Sequence, residues 1–398
     1  MPADTTSSGA ANRSALSYLY EPKVRGIVYQ VVVLAVIVWL GWEVVTNAAE
    51  NLRRQNIASG FGFLDNTAGF DISQALISYS NTMTYGRAFM VGLLNTLLVA
   101  VVGIVLATIM GVIVGIARLS PNWLIAWLGT IFVEVVRNLP LLLQLFFWYF
   151  AVLKALPGPR QSIELPLGGL LNVRGLYVPG PIWEAGSWIV VAALGLALAA
   201  ALAISVWARR RQLATGQQFP AFWTGLGLVI ALPLLAFFAS GSPVRFDVPA
   251  LAGFNISGGI AVLPEFIALL LGLSVYTASF IAEVVRSGIL GVSRGQKEAA
   301  AALGLREGQS LRLVVIPQAL RIMIPPLTNQ YLNLTKNSSL AVAIGYPDLV
   351  SVFAGTVLNQ TGQAVEVILI TMAVYLTFSL LTSLFMNWFN ARIALVER

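Results

Sequence analysis

The stretch GQKEAAAALGLREGQSLRLVVIPQAL (295–320) carries charge every few residues and a glycine near its centre, yet strongly apolar sequence flanks it on both sides. Ser293-Arg294-Gly295-Gln296 has capping-box spacing, which predicts a helix start with the serine and glutamine side chains satisfying exposed N–H groups. Glu298 then sits where the helix dipole favours negative charge. Alanines 299–302 are strong helix formers with a thin surface. Gly304 suits the left-handed position that ends a helix, and Leu305-Arg306-Glu307 begins a second one. A short helix, a sharp bend and another helix can enter a groove on another protein. The same small side chains also suit a re-entrant or surface helix packed on its own bundle.

The rest of the chain favours a membrane setting. Of 398 residues, 58% are hydrophobic and only 10% charged, against about 25% in ordinary soluble domains. Several apolar runs are long enough to cross a hydrocarbon core of about 30 Å. The chain has no cysteine and no histidine. Thiolate catalysis, disulfides, haem, structural zinc and a Ser–His–Asp triad are thereby excluded. A net charge of +7 fits Lys and Arg gathered on cytoplasmic loops better than it fits nucleic-acid binding.

Seven apolar spans are read at 27–46, 88–117, 123–153, 188–207, 221–240, 265–285 and 364–388. Residues 322–344 are ambiguous, because Pro325, Pro326, Asn329, Gln330, Asn333, Lys336 and Asn337 interrupt them. Counting them as a span gives eight, with both termini on one side. Fifteen basic residues then fall on that side and seven on the other; Arg137 and Lys336 lie inside spans, accounting for all 24. That asymmetry places both termini and the 295–320 stretch in the cytoplasm. The first span reads as an anchor, with a cleaved signal peptide as the alternative. The first 20 residues are mostly small and polar and are expected to be disordered.

Four motifs in order resemble one family. Glu298-Ala299-Ala300, then Gly304, then Ile316-Pro317-Gln318-Ala319, resembles the EAA loop of ABC importer permeases. EVVRNLPLLLQLFF (134–147), VYTASFIAEVVRSGI (275–289) and LTKNSSLAVAIGYPDL (334–349) resemble segments of the polar amino-acid permeases within it. Length and motifs together resemble the larger permeases of general L-amino-acid import systems. The resemblance implies an all-α polytopic protein of eight transmembrane helices. Five of them form a type I ABC importer core, with one N-terminal and two inserted accessory spans. The expected organisation is a cytoplasmic tail at 1–26, an accessory span and periplasmic segment at 27–87, and core parts at 88–152 and 264–389. An insert at 153–263 separates the two parts, coupling helices occupy 293–308, and a second cytoplasmic tail occupies 390–398. Asn337 stands where the family has an acid, which puts in doubt any role needing negative charge there.

The chain has no G-x-x-x-x-G-K-[ST], and no glycine is followed by lysine anywhere, so the phosphate-holding loop of P-loop proteins is absent. By resemblance, a partner ATPase holds ATP and Mg, this chain binds no cofactor, and coupling falls to Gln296, Glu298, Ala299, Ala300, Gly304, Arg306 and Glu307. The other implied partners are a homologous permease, a periplasmic amino-acid-binding protein, the L-amino-acid substrate and inner-membrane lipid, with no nucleic acid.

Charges at membrane depth are costly unless paired or facing water. Glu134 and Arg137 are three residues apart on one helix, as are Glu283 and Arg286. Both spacings allow a self-neutralising ion pair; Glu134 or Arg137 could instead contact substrate. Asn138 and Pro140 follow directly, and the proline predicts a kink or opening of the helix. Transporters expose backbone to substrate at such breaks. Residues 326, 329, 330, 333, 336 and 337 follow helical spacing and form one polar stripe, which should line a cavity or a subunit interface. Lys336, Ser338 and Ser339 could donate to a substrate carboxylate, while Asn333, Asn337, Glu283 and Glu134 could accept from its ammonium. Lys336 could alternatively reach the outer interface. Tyr276 and Thr277 complete the expected substrate pathway. The competing function is a stand-alone ion-coupled amino-acid carrier or channel, which needs no cytoplasmic docking element.

Overall fold

The computed structural model describes residues 22–54, 59–184, 186–241, 244–253 and 255–393. Residues 1–21 and 394–398, read above as parts of the two tails, lie outside them. Among the described residues, seven helices are long and apolar enough to cross a membrane. An eighth span is a bent pair, Trp123–Asn138 and Leu141–Leu153, turned through 105°. In chain order the remaining spans are helices Pro22–Arg54 (span one), Tyr85–Ala117 (two), Ser187–Thr215 (four), Ala221–Ala239 (five), Pro264–Leu290 (six), Glu307–Ile344 (seven) and Ala364–Ile393 (eight).

Local chemistry sets several of these boundaries. Span two starts at Thr84, whose side chain accepts the Arg87 N–H. Span three starts at Asn122, whose Oδ1 accepts from the N–H groups of Leu124 and Ile125. Each bond satisfies helix donors that have no partner within the helix. The ambiguous 322–344 segment is helical through Pro325 and Pro326. Span four is longer than the sequence suggests: Arg209-Arg210-Arg211, read as a loop, lies inside the helix, which ends at a left-handed Gly216. Arginine is a good helix former, so apolarity ends there before helicity does.

Spans two, three, six and seven enclose the main core, where Leu145, Leu269, Leu273, Ile281 and Leu334 are fully buried. Span two crosses span six through glycines. A Cβ at Gly111 would lie 2.5 Å from Ile281 Cγ2, and one at Gly115 would lie 2.8 Å from the Ala282 carbonyl. A second cluster at the other end of span two joins Phe63, Tyr85, Ala88, Phe353 and Val367.

The insert is not only helical. Strands Ile163–Leu165, Gly169–Asn172, Gly175–Val178 and Ile260–Val262 form an antiparallel sheet in that order. Gly180–Trp183 pairs with Val244–Asp247. These ladders join sequence from both sides of the inserted spans, so the insert leaves and rejoins the core side by side. Spans four and five pack chiefly on each other, with Gly225 against Ala201.

Gly111→Leu should lower the thermal unfolding temperature in detergent, since overpacking such a contact costs about 1–3 kcal/mol. Gly295→Ala, where a Cβ meets open space, should leave it unchanged.

Candidate functional site: a docking turn and a broken span

The helix read from the 295–320 stretch runs Arg294–Ala302. Its Ser293 cap differs from expectation: the serine side chain makes no capping bond, and only its carbonyl accepts the Gln296 N–H. Gln296 Oε1 instead accepts from Gln318 Nε2 at 3.2 Å, tying the helix to span seven. Exposed serine loses little by leaving an N–H to water, whereas Gln296 gains a tertiary partner. The C-terminal end is as read. Gly304 has φ +74°, its N–H donates to Ala301 O, and the Leu305 N–H donates to Ala300 O. This pair of bonds is the Schellman closure. Ala300 is buried, while Gln296, Glu298, Ala299, Gly304, Arg306 and Glu307 are exposed.

After the turn the chain enters span seven directly. The Arg306 N–H donates to Gln309 Oε1, and helix continues from Glu307 to Ile344. Within it, Leu311–Val315 widens to a π turn in which the Ile316 N–H reaches Leu311 O. Pro317 follows; a proline there clashes with the carbonyl four residues back, and the extra residue relieves that clash. The second of the two helices read from this stretch is therefore the base of a membrane span.

The break in span three falls where Pro140 predicts. Asn138 ends one limb, Leu139 is extended, and Leu141 starts the next. Freed carbonyls at such a break need donors in a site without water. Gln144, 7% exposed, provides them: its Nε2 donates to Val136 O at 2.9 Å and to Leu139 O at 3.1 Å. A cavity of about 320 Å³ lies beside it, lined by Val136, Leu139, Gln144 and Val275 among others. The Glu134–Arg137 ion pair is not formed among the described residues. Arg137 lies over the Phe280 ring at 4.9 Å, Asn138 donates to Glu134 O, and all three polar residues are exposed. Tyr276 is half-buried with its ring tilted against Phe280 at 5.0 Å between centroids, and Thr277 is buried.

The second pair behaves otherwise. Glu283 takes Arg286 Nη2 at 2.6 Å on one oxygen and Arg118 on the other. Arg118, placed in a loop by the sequence, has a side chain only 8% exposed, and it clamps the turn between spans two and three to span six. Both Glu283 oxygens are thus committed to guanidinium groups.

The polar stripe of span seven faces outward: Asn329, Asn333 and Lys336 are exposed, and Asn337 is half-buried. Lys336 and Ser339 line an open cavity of about 550 Å³ with Thr371, Tyr375 and Ser379 of span eight. The serine hydroxyls are directed elsewhere: Ser338 donates to Thr335 O and Ser339 to Lys336 O. Such back-bonding is a local habit of serine in helical turns. No hydrogen bond or ion pair among the described residues joins this face to the Glu134–Asn138 break.

Residues 210–395 match the family described as the binding-protein-dependent transport system inner membrane component. Over 395 residues the chain is 58% identical to the general L-amino acid transport system permease protein AapQ of Rhizobium johnstonii, covering 99% of this chain and 98% of that one. The chain belongs to this family of inner-membrane permeases. Two other relatives are the putative amino-acid ABC transporter permease YhdX of Escherichia coli, 52% identical over 97% of this chain and 98% of its own, and BztB of Rhodobacter capsulatus. The latter, a glutamate/glutamine/aspartate/asparagine transport system permease protein, is 41% identical over 96% of each chain. As a permease the chain is a multi-pass transport component of the inner membrane.

Two residues of this permease escaped the sequence reading. Gln144 was visible as part of a motif, but nothing in its spacing showed that its amide bridges a helix break. Leu303, in the turn at Gly304, is 81% exposed. An apolar side chain beside Gly304 in a charged stretch was the available signal. Gln144→Leu should destabilise the permease by about 1–3 kcal/mol, the cost of leaving buried carbonyls unpaired. Amide hydrogen exchange should rise first at Leu141–Gln144, and protection equal to wild type would remove the bridging role.

Proposed function

We propose that this chain is the transmembrane permease subunit of an ATP-driven, binding-protein-dependent importer of L-amino acids. One observation carries the reading: the docking helix Arg294–Ala302 turns at Gly304 straight into the 38-residue helix Glu307–Ile344. That helix bears Lys336 near its far end. A push on the docking helix reaches the Lys336 cavity through one continuous element. Membership of a binding-protein-dependent family favours this reading over a stand-alone ion-coupled carrier. The amino-acid systems named for the relatives support the substrate class.

On this reading both termini and residues 293–308 are cytoplasmic. The docking turn enters a groove on an ATPase that holds ATP and Mg, with Leu303 as its apolar tip and Gln296, Glu298, Arg306 and Glu307 around it. A second, homologous permease covers the open face of span seven, and a periplasmic amino-acid-binding protein delivers substrate. Lys336 meets the substrate carboxylate. Asn333, Asn337 and Glu134 remain acceptors for the ammonium, and Arg137 with Asn138 marks the broken span as part of the path. Glu283, held by two guanidinium groups, fixes helix ends instead of binding substrate. Ser338 and Ser339 shape the turn under Lys336.

Reconstituted with its ATPase and binding protein in vesicles, Gly304→Asp should assemble normally. Its ATP-driven amino-acid uptake should fall at least tenfold, because a side chain at φ +74° is strained. Uptake at the wild-type rate would remove the coupling role. Lys336→Ala should abolish uptake while binding-protein-stimulated ATP hydrolysis survives in part; unchanged uptake would take Lys336 out of the substrate path.

A further inference from the structure

Spans four and five are unexplained by the transport reading. They stand off the core as a hairpin, and residues 187–241 contain no Asp or Glu at all. The only charges in the hairpin are Arg209, Arg210 and Arg211. Arg209 and Arg210 are exposed, and Arg211 is half-exposed.

Their depth follows from helix geometry. Trp188 and Trp207 are exposed aromatics near opposite ends of span four. Nineteen residues apart, they are separated by about 28 Å at 1.5 Å per residue, close to the thickness of a hydrocarbon core. Tryptophan favours the two interfaces of a bilayer, so this spacing places one ring at each. The three arginines begin two residues beyond Trp207, at the level of the lipid phosphates. At about 100° per residue they fan over roughly 200° of the helix surface.

The site is also partly built. Arg211 lies over the Trp207 ring at 5.3 Å, and its Nη2 donates to Gln217 Oε1 at 2.8 Å. Trp207 is held in turn by Phe219, with ring centroids 5.3 Å apart. The left-handed Gly216 turns the chain so that Gln217 comes back beside Arg211. Phe222 and Trp223, both about 70% exposed, extend the aromatic collar onto span five. A guanidinium offers a planar fork of donors that matches phosphate oxygens.

We propose that this end of the inserted hairpin binds the phosphate headgroup of anionic phospholipid, with Arg209, Arg210 and Arg211 as donors and Trp207, Phe222 and Trp223 packing on the acyl boundary. The hairpin then serves as a lipid anchor for the permease, independent of what the permease carries.

The test is binding of phosphatidylglycerol and phosphatidylcholine to the purified full-length chain in detergent, read by native mass spectrometry. Wild type should retain phosphatidylglycerol at least tenfold more strongly than phosphatidylcholine, with the preference weakening as salt rises. Equal retention of the two lipids would overturn the proposal without any variant. R209Q/R210Q/R211Q should lose that tenfold preference and keep its phosphatidylcholine binding and its elution volume. A preference within twofold of wild type would contradict it. R25Q/R392Q, which removes two basic residues from other span ends, should keep the preference, and an equal loss there would show generic charge attraction instead of a site. The readout is lipid, so it is unaffected if the transport assignment fails.

Discussion

Two backbone hydrogen bonds at a left-handed glycine connect the helix Arg294–Ala302 to the membrane bundle. Gly304 donates to Ala301 O and Leu305 to Ala300 O, and they fix the angle at which Arg294–Ala302 leaves span seven. A side chain at that position strains the backbone, so a turn this tight depends on glycine. Gln296 and Gln318 add a third link across the bend. Beyond it, the π turn at Leu311–Val315 accommodates Pro317 without ending the helix. The helix Arg294–Ala302 and the span that carries Lys336 are therefore joined through one tight turn, and the coupling proposal rests on that continuity.

The membrane imposes the opposite demand at span three. Pro140 opens the helix, and a low-dielectric interior penalises the carbonyls it frees. Gln144 lifts that penalty with a single amide, which lets a 105° bend stand beside the core. At the base of the bundle, Glu283 joins span six to the turn between spans two and three through Arg118. The bundle thus combines a bridged break in one span with a clamped joint in two others. Their contrast separates Glu134 and Arg137, exposed and unpaired with each other, from Glu283 and Arg286.

Much of this was legible from the residues. Hydropathy and the distribution of basic residues gave eight spans; Pro140 marked the break and Gly304 the turn. What was missed shares a cause, since it depends on tertiary partners that sequence spacing does not show. Ser293 and Gln296 had capping-box spacing, but Gln296 found Gln318 across the bend. Arg118 looked like an ordinary loop cation, and its partner is 165 residues away. The strands of the insert are three or four residues long and pair across two spans, too short for periodicity to register.

The absence of cysteine makes a direct test of the coupling proposal simple, since single thiols can be introduced without removing any. Spin labels at Lys297 and at Val342, an exposed position near the far end of span seven, report whether the helix and the span move as one body. A third label at Leu290, at the exposed end of span six, provides the reference. In the complete importer, ATP addition should change the Lys297–Leu290 and Val342–Leu290 distances while the Lys297–Val342 distance stays constant. A changed Lys297–Val342 distance with Val342–Leu290 fixed would mean that the bend at Gly304 absorbs the push, and that the ATP cycle does not reach Lys336 by this route.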